Sequence, residues 1–428
     1  MKIRFIILLA TLLATAGQAQ EISLTFAATG EASHIDSIQA TNLSNGLSIS
    51  FPGNATLWLN RITHTNPVES AILEPALFPN PFPGVAQFSV RTTTTEALKI
   101  QALSLDGQVV TSHIGTYQPG NHQFLLSLQN PGIYLIEIAG AKGRSTIRAI
   151  STAAYGSGNH IHQTGLGTPV PQNTLREKST GGDYILGFTR GDLLHFRCYS
   201  GRMTSVLTAR PEAPGELEVG FWTCTDPHNQ DYATVRIGDQ VWMAENLAYL
   251  PTVRSSSSGS DLWPHNYVYG YEDTNAEEAR NHPNYARYGV LYNWVSAMGG
   301  SGGSILVPSG VRGLCPIGWH MPSQGEWDLL STFIGDSAAI RLKDAGPGIW
   351  PGTGGGATNE SGFGALPGGS RQESSAGFAG LGATATFWST SEGGSSFAWY
   401  RFLEAAEPQL LRYGIHKANG FSIRCVKD

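Results

Sequence analysis

Apolar and polar side chains alternate with a period of two in short runs along the first half of this chain. "EISLTFAATG", "DSIQATNL", "GLSISF" and "TLWLNRI" show it within residues 20–66. "ALKIQALSLDGQVV", "GNHQFLLSL" and "NPGIYLIEIAG" show it again within 73–152. Successive side chains of a strand point to opposite faces, so such runs bury one face and wet the other. Gly, Asn and Ser between the runs supply the turns. The expected class is therefore multi-domain and mostly β, beginning with β-sandwich-like domains.

Composition agrees. Charged residues make up 14% of the 428, below the usual level of about a quarter, and there are 52 glycines. This suits a β-rich extracellular protein better than a cytoplasmic helical enzyme. The formal net charge is −6, with no basic run beyond the N-terminus, which argues against binding nucleic acid through phosphates. Residues 1–19 read as a secretory signal. Lys2 and Arg4 form the basic start, Phe5 to Ala16 the apolar run, and Gly17-Gln18-Ala19 the cleavage site. The mature chain is expected to begin at Gln20, without a lipid anchor or a membrane span, as a monomer in the medium or on the outer cell surface.

Four cysteines, Cys198, Cys224, Cys315 and Cys425, allow three pairings. Export makes disulfides the default, and no Cys-x-x-Cys points to zinc or redox chemistry. The preferred pairs are Cys315–Cys425 and Cys198–Cys224, leaving no free thiol.

Beyond residue 152, "AYGSGNHIHQTGLGTPVPQNT" reads as a linker over 153–180, with His160 and His162 more readily solvated than metal-bound. "GDYILGFTRGDLLHFRCYS" and "GELEVGFWTC" supply further strands over 181–224. In "CPIGWHMPSQGEWDLL", Ser323 and Glu326 have the spacing of a capping box, and Trp327, Leu330 and Ile334 follow at helical spacing. Glu326 and Asp328 therefore belong to the first turn of a helix over 324–334, where the helix dipole favours carboxylates. His320 is expected in a partly buried loop. A second helix is expected in "VLYNWVSAMGG", with Val290, Leu291, Trp294 and Met298 inward and Gly299 as its stop.

Four resemblances sharpen this picture. Residues 20–66 resemble the small β-domain that follows the signal in many Bacteroidetes secreted proteins. Leu77-Phe78-Pro79-Asn80-Pro81, the Asp106-Gly107 turn and Gly132-Ile133-Tyr134 make 73–152 resemble the type A sorting domain of the type IX secretion system. Such domains lie at the extreme C-terminus, and here the segment is internal, so it is expected as a retained β-sandwich without a sorting role. "YATVRIGDQVWMAENLAYLP", "YGVLYNWVSAM", "GLCPIGWHMPSQGEWDLL", "NESGFGALPGGSR", "FWSTSEGGSSFAWY" and "GFSIRCVKD" make 225–428 resemble the Fibrobacter succinogenes major paralogous domain. The same blocks resemble the C-type lectin-like fold of formylglycine-generating enzymes and of retroelement-diversified variable proteins. That resemblance implies an α+β domain closed by Cys315–Cys425, with the last strands as its displayed face.

No His-Glu-x-x-His motif or reactive cysteine pair suggests catalysis. Glu245, Glu326 and Glu392 offer carboxylates, but nothing pairs them as a glycosidase requires; Glu245 reads as a loop-holding residue. No cofactor is called for, and calcium has no support in the sequence. The expected function is non-catalytic binding of a glycan or protein ligand, with an extracellular hydrolase or oxidase as the alternative. Trp388 and Trp399 are expected in the core. Tyr400, Arg401, Tyr413, His416 and Lys417 are the candidate ligand contacts, with the loops of 251–288 as a second location.

Overall fold

The computed structural model describes residues 22–61, 77–78, 82, 84–92, 95–104, 107–118, 120–140, 143–151, 158–167, 184–346, 349–350 and 356–428. The signal expected at 1–19 lies outside them. The protein is mostly β and multi-domain. Among the described residues, no helix is long and apolar enough to cross a membrane.

The described parts of 20–66 and 181–224, expected as separate units, form one body. Ile22–Gly30 lies between Leu57–Arg61 and Gly215–Phe221, and Tyr184–Phe188 completes that sheet. Leu24 to Gly30 pair in parallel with Gly215 to Phe221, and Tyr184 to Phe188 pair in parallel with Leu57 to Arg61. Parallel neighbours need a long crossover, so the chain between them is free to be a domain of its own. Strand Leu194–Ser200 faces this sheet. Leu194, Phe196 and Cys198 alternate inward onto Leu24, Leu59, Leu186 and Phe221.

Within that crossover sits a second sandwich. One sheet orders Gly143–Ser151, Gly132–Gly140, Glu96–Ser104 and Val109–Tyr117; the other orders His160–Gly167, Gly120–Ser127, Val85–Thr92 and Leu77–Phe78. Phe82, Phe88, Phe124, Ile100 and Ile136 fill the space between them. The turn expected at Asp106-Gly107 is present at Gly107, whose φ of +82° suits glycine; Asp106 lies outside the described residues. Part of the expected linker is a strand: His160–Gly167 pairs with Gly120–Ser127. Its Gly-rich sequence hides a one-sided burial in which Ile161 is inward while His160 and His162 are exposed. No cluster of metal-ligating side chains occurs among the described residues.

An eight-stranded sheet joins the first body to the C-terminal part. Thr204 to Val206 pair in parallel with Ala233 to Val235, and the sheet continues through Gln240–Met243 and Val426–Lys427 to Trp319–His320. Glu245 holds this junction, as its loop-holding reading implied. It accepts from Arg197 Nη2 at 2.6 Å and from the Ala233 amide at 3.3 Å.

Helix Gln324–Ile334 begins as expected. Ser323 Oγ accepts from the Glu326 amide at 3.3 Å, and Glu326 Oε2 accepts from the Ser323 amide at 2.9 Å. Trp327, Leu330 and Ile334 face the core. Ser323→Ala should lower the stability of this domain by about 0.5–2 kcal/mol, measured by urea unfolding; an unchanged midpoint would show the cap to be dispensable. The helix expected from Val290 is shorter. Leu291–Tyr292 is a strand, and the helix spans Trp294–Met298. Asn293 is the reason: its Oδ1 caps the Ser296 amide and also accepts from His265. Gly299 ends the helix at φ +58°.

Cys315 and Cys425 are joined. The expected Cys198–Cys224 bond is absent, and both thiols are free and buried. Cys198 faces the core of the first body, whereas Cys224 packs in the C-terminal core beside Tyr232 and Trp319. Cys198 is on strand Leu194–Ser200, whereas Cys224 lies beyond the end of Gly215–Phe221, a strand of a different sheet.

Candidate functional site: an aromatic face on the C-terminal sheet

Three consecutive strands, Thr384–Glu392, Phe397–Glu404 and Leu411–His416, pair antiparallel. Their register sets Trp388 beside Tyr400 and Tyr400 beside Tyr413. Alternation along Phe397–Glu404 places Tyr400 and Phe402 on one face and Arg401 and Leu403 on the other. Trp388 lies on that same face, beside Tyr400, where it is fully buried and donates from Nε1 to the Tyr292 carbonyl at 2.7 Å. Phe421 packs between them, its ring 4.4 Å from Trp388 and 4.6 Å from Tyr400. Toward the outer strand, Tyr400, Phe402 and Tyr413 form a triangle of rings with centroids 6.1–6.4 Å apart. Tyr413 is 47% exposed; Tyr400 and Phe402 are half-buried. Burial, helped by the neighbouring Tyr413, pushes the Tyr400 phenol pKa up, so its hydroxyl stays a donor at neutral pH.

At one end of the same strands, Phe397 is exposed and meets the His416 ring edge-on at 5.7 Å. His416 Nε2 lies 3.6 Å from Asp261 Oδ2. This brings the 251–288 loops, the second expected location, to the end of the strands. Leu262 and Trp263, next along the chain, are largely exposed.

Two of the five expected contacts have other work. Arg401 is buried on the opposite face, with Nη2 2.6 Å from Asp328 Oδ1 and 3.1 Å from the Gln324 carbonyl, so it ties the strand to the helix behind it. Lys417 is also buried. Its Nζ donates to Glu392 Oε1 at 2.5 Å and to the Ser395 carbonyl at 2.9 Å, above the Trp294 ring. Long charged side chains bury their stems when partners wait for the head, and those partners are remote in sequence. Trp388 is core as expected, whereas Trp399 is half-buried beneath the Arg412 guanidinium. Phe402 and Phe397 escaped sequence reasoning, although the alternation that selects Tyr400 also selects Phe402.

His320, read as a loop residue, is a short-strand residue held between two carboxylates. Nε2 lies 2.6 Å from Glu326 Oε1 and Nδ1 lies 2.7 Å from Asp428 Oδ1. With a carboxylate acceptor at each ring nitrogen, the arrangement favours the doubly protonated, positively charged imidazole. Burial alone would lower its pKa; the hydrogen bonds and charges of Glu326 and Asp428 outweigh that and raise it. Glu326 Oε2 also accepts from the Ser309 amide at 3.1 Å, so this carboxylate caps the helix, pins a loop and balances the buried cation.

Residues 235–427 match the family model of the Fibrobacter succinogenes major domain. This major domain contains the aromatic face, the disulfide and the His320–Glu326 pair. Residues 76–152 match the secretion system C-terminal sorting domain, the sandwich carried in the crossover. The sorting-domain match marks the protein as secreted or displayed on the outer surface. No curated protein matches the chain.

Proposed function

We propose that this is a non-catalytic secreted or surface binding protein whose major domain, read as C-type lectin-like, recognises a glycan or protein ligand through the aromatic face. The observation that carries the reading is the ring triangle of Tyr400, Phe402 and Tyr413, exposed at Tyr413 and flanked by the buried Trp388 and Phe421. Aromatic anchors are enriched at recognition hot spots, and rings already held by a packed core lose little freedom on binding. The His320 nitrogens are both engaged by carboxylates, which favours a structural role for that cluster over acid–base chemistry.

A glycan array and a panel of extracellular proteins, each screened with and without metal chelation, test the proposal. Tyr413→Ala and Phe402→Ala should weaken whatever binds by about tenfold or more each, with the melting temperature nearly unchanged for Tyr413→Ala. Arg401→Ala should instead destabilise the domain, because it removes the buried tie from the strand to Asp328 and the Gln324 carbonyl. Full binding by both aromatic variants would place the site elsewhere.

A further inference from the structure

Leu411–His416 is the outermost strand of the C-terminal sheet, and Phe397–Glu404 is its one neighbour there. The Lys417 amide donates to the Ser396 carbonyl at 2.9 Å, which sets the parity of the ladder. With the observed register, residues 411, 413 and 415 turn their N–H and C=O groups inward, and Arg412, Gly414 and His416 turn theirs outward. Among the described residues, no group bonds to the amides of Arg412, Gly414 or His416, or to the carbonyls of Arg412 or Gly414. Arg412, Tyr413 and Gly414 are exposed. The strand therefore presents an ordered row of three donors and two acceptors next to the aromatic face.

We infer that this edge binds an extended polypeptide strand of a partner protein, which extends the sheet while its alternate side chains lie on Tyr413 and the rings beside it. The inference rests on the aromatic face being the binding site and narrows its ligand to a peptide backbone. A row of donors and acceptors repeating every two residues, about 6.8 Å, matches another strand in extended conformation and nothing in a sugar chain. Added strands gain affinity from the main chain and specificity from alternate side-chain pockets. A second copy of this chain fits less well. Antiparallel self-pairing centred on Gly414, which uses all three outward residues, sets Arg412 opposite a second His416.

Panning a random linear-peptide library on the intact protein, followed by hydrogen exchange with the enriched peptides, tests this. Exchange should slow at the amides of Arg412, Gly414 and His416. Gly414→Pro removes an outward N–H without touching the inner ladder, a placement proline tolerates on an edge, and should weaken these peptides by about tenfold or more. Exchange on the unaltered protein decides the matter even if that variant misfolds. The inference is overturned if no peptide is enriched, if enriched peptides leave those amides unprotected, or if a well-folded Gly414→Pro binds them equally. Self-association that Gly414→Pro abolishes would overturn it in favour of a second copy. Glycan binding lost in Tyr413→Ala, with no peptide bound, would sink this inference and leave the aromatic site standing. Edge protection unaffected by Tyr413→Ala and Phe402→Ala would sink the aromatic reading instead.

Discussion

Glu326→Ala should destabilise the C-terminal domain by about 3–5 kcal/mol, the usual effect of stripping a buried charge of its partner. Both Glu326 and His320 have side chains only 3% exposed. The substitution leaves the imidazolium with Asp428 alone and removes the acceptor of the Ser309 and Ser323 amides. Glu326→Gln keeps an oxygen for the cap and should be milder. The same pair predicts a pH dependence. The folded pKa of His320 is raised above its ordinary 6.5, so its stabilisation is fully present below about pH 6.5 and fades as the pH rises through the raised folded value. Urea unfolding followed from mildly acidic to mildly alkaline pH should show stability falling across that window, with a flatter profile for Glu326→Ala. A cost below about 1 kcal/mol, typical of exposed pairs, would show that the cluster carries little of the fold.

Cys315→Ser should cost about 4–5 kcal/mol. The disulfide spans 110 residues, and on the chain-entropy account a cross-link restrains the unfolded chain more as its loop lengthens. Reduction of the unaltered protein should have the same effect, since Cys198 and Cys224 are already thiols. Burial pushes the Cys198 thiol up to about 12 and, with nearby carboxylates adding to it, holds Cys224 well above its ordinary value. Neither should react with iodoacetamide in the folded protein at neutral pH, because the thiolate is the nucleophile. In denaturant without reductant, peptide mapping should find both alkylated and Cys315 still linked to Cys425. A Cys198–Cys224 peptide would contradict the separation of the two cores.

Features written over a few residues were readable from the chain alone. The period-two runs announce the sandwiches, Ser323 and Glu326 announce the helix start, and the order of short blocks announces the C-terminal domain. Each depends on side chains and backbone groups within a turn or a strand of one another, so spacing encodes it directly. Two of the three rings of the candidate site, Tyr400 and Tyr413, were legible as aromatics on or between strands near loop tips. Pairing over long separations was not legible. The parallel match of Ile22–Gly30 with Gly215–Phe221 makes one body of two distant segments, and alternation says only that each strand has an inner face, never which strand lies beside it. The same holds for charge. Arg401 and Lys417 look like free surface groups until Asp328 and Glu392 are brought to them, and His320 looks like a loop residue until Asp428 arrives from 108 positions away. A charged side chain is buried or free according to whether a partner can replace its lost water, and that partner is chosen by the fold.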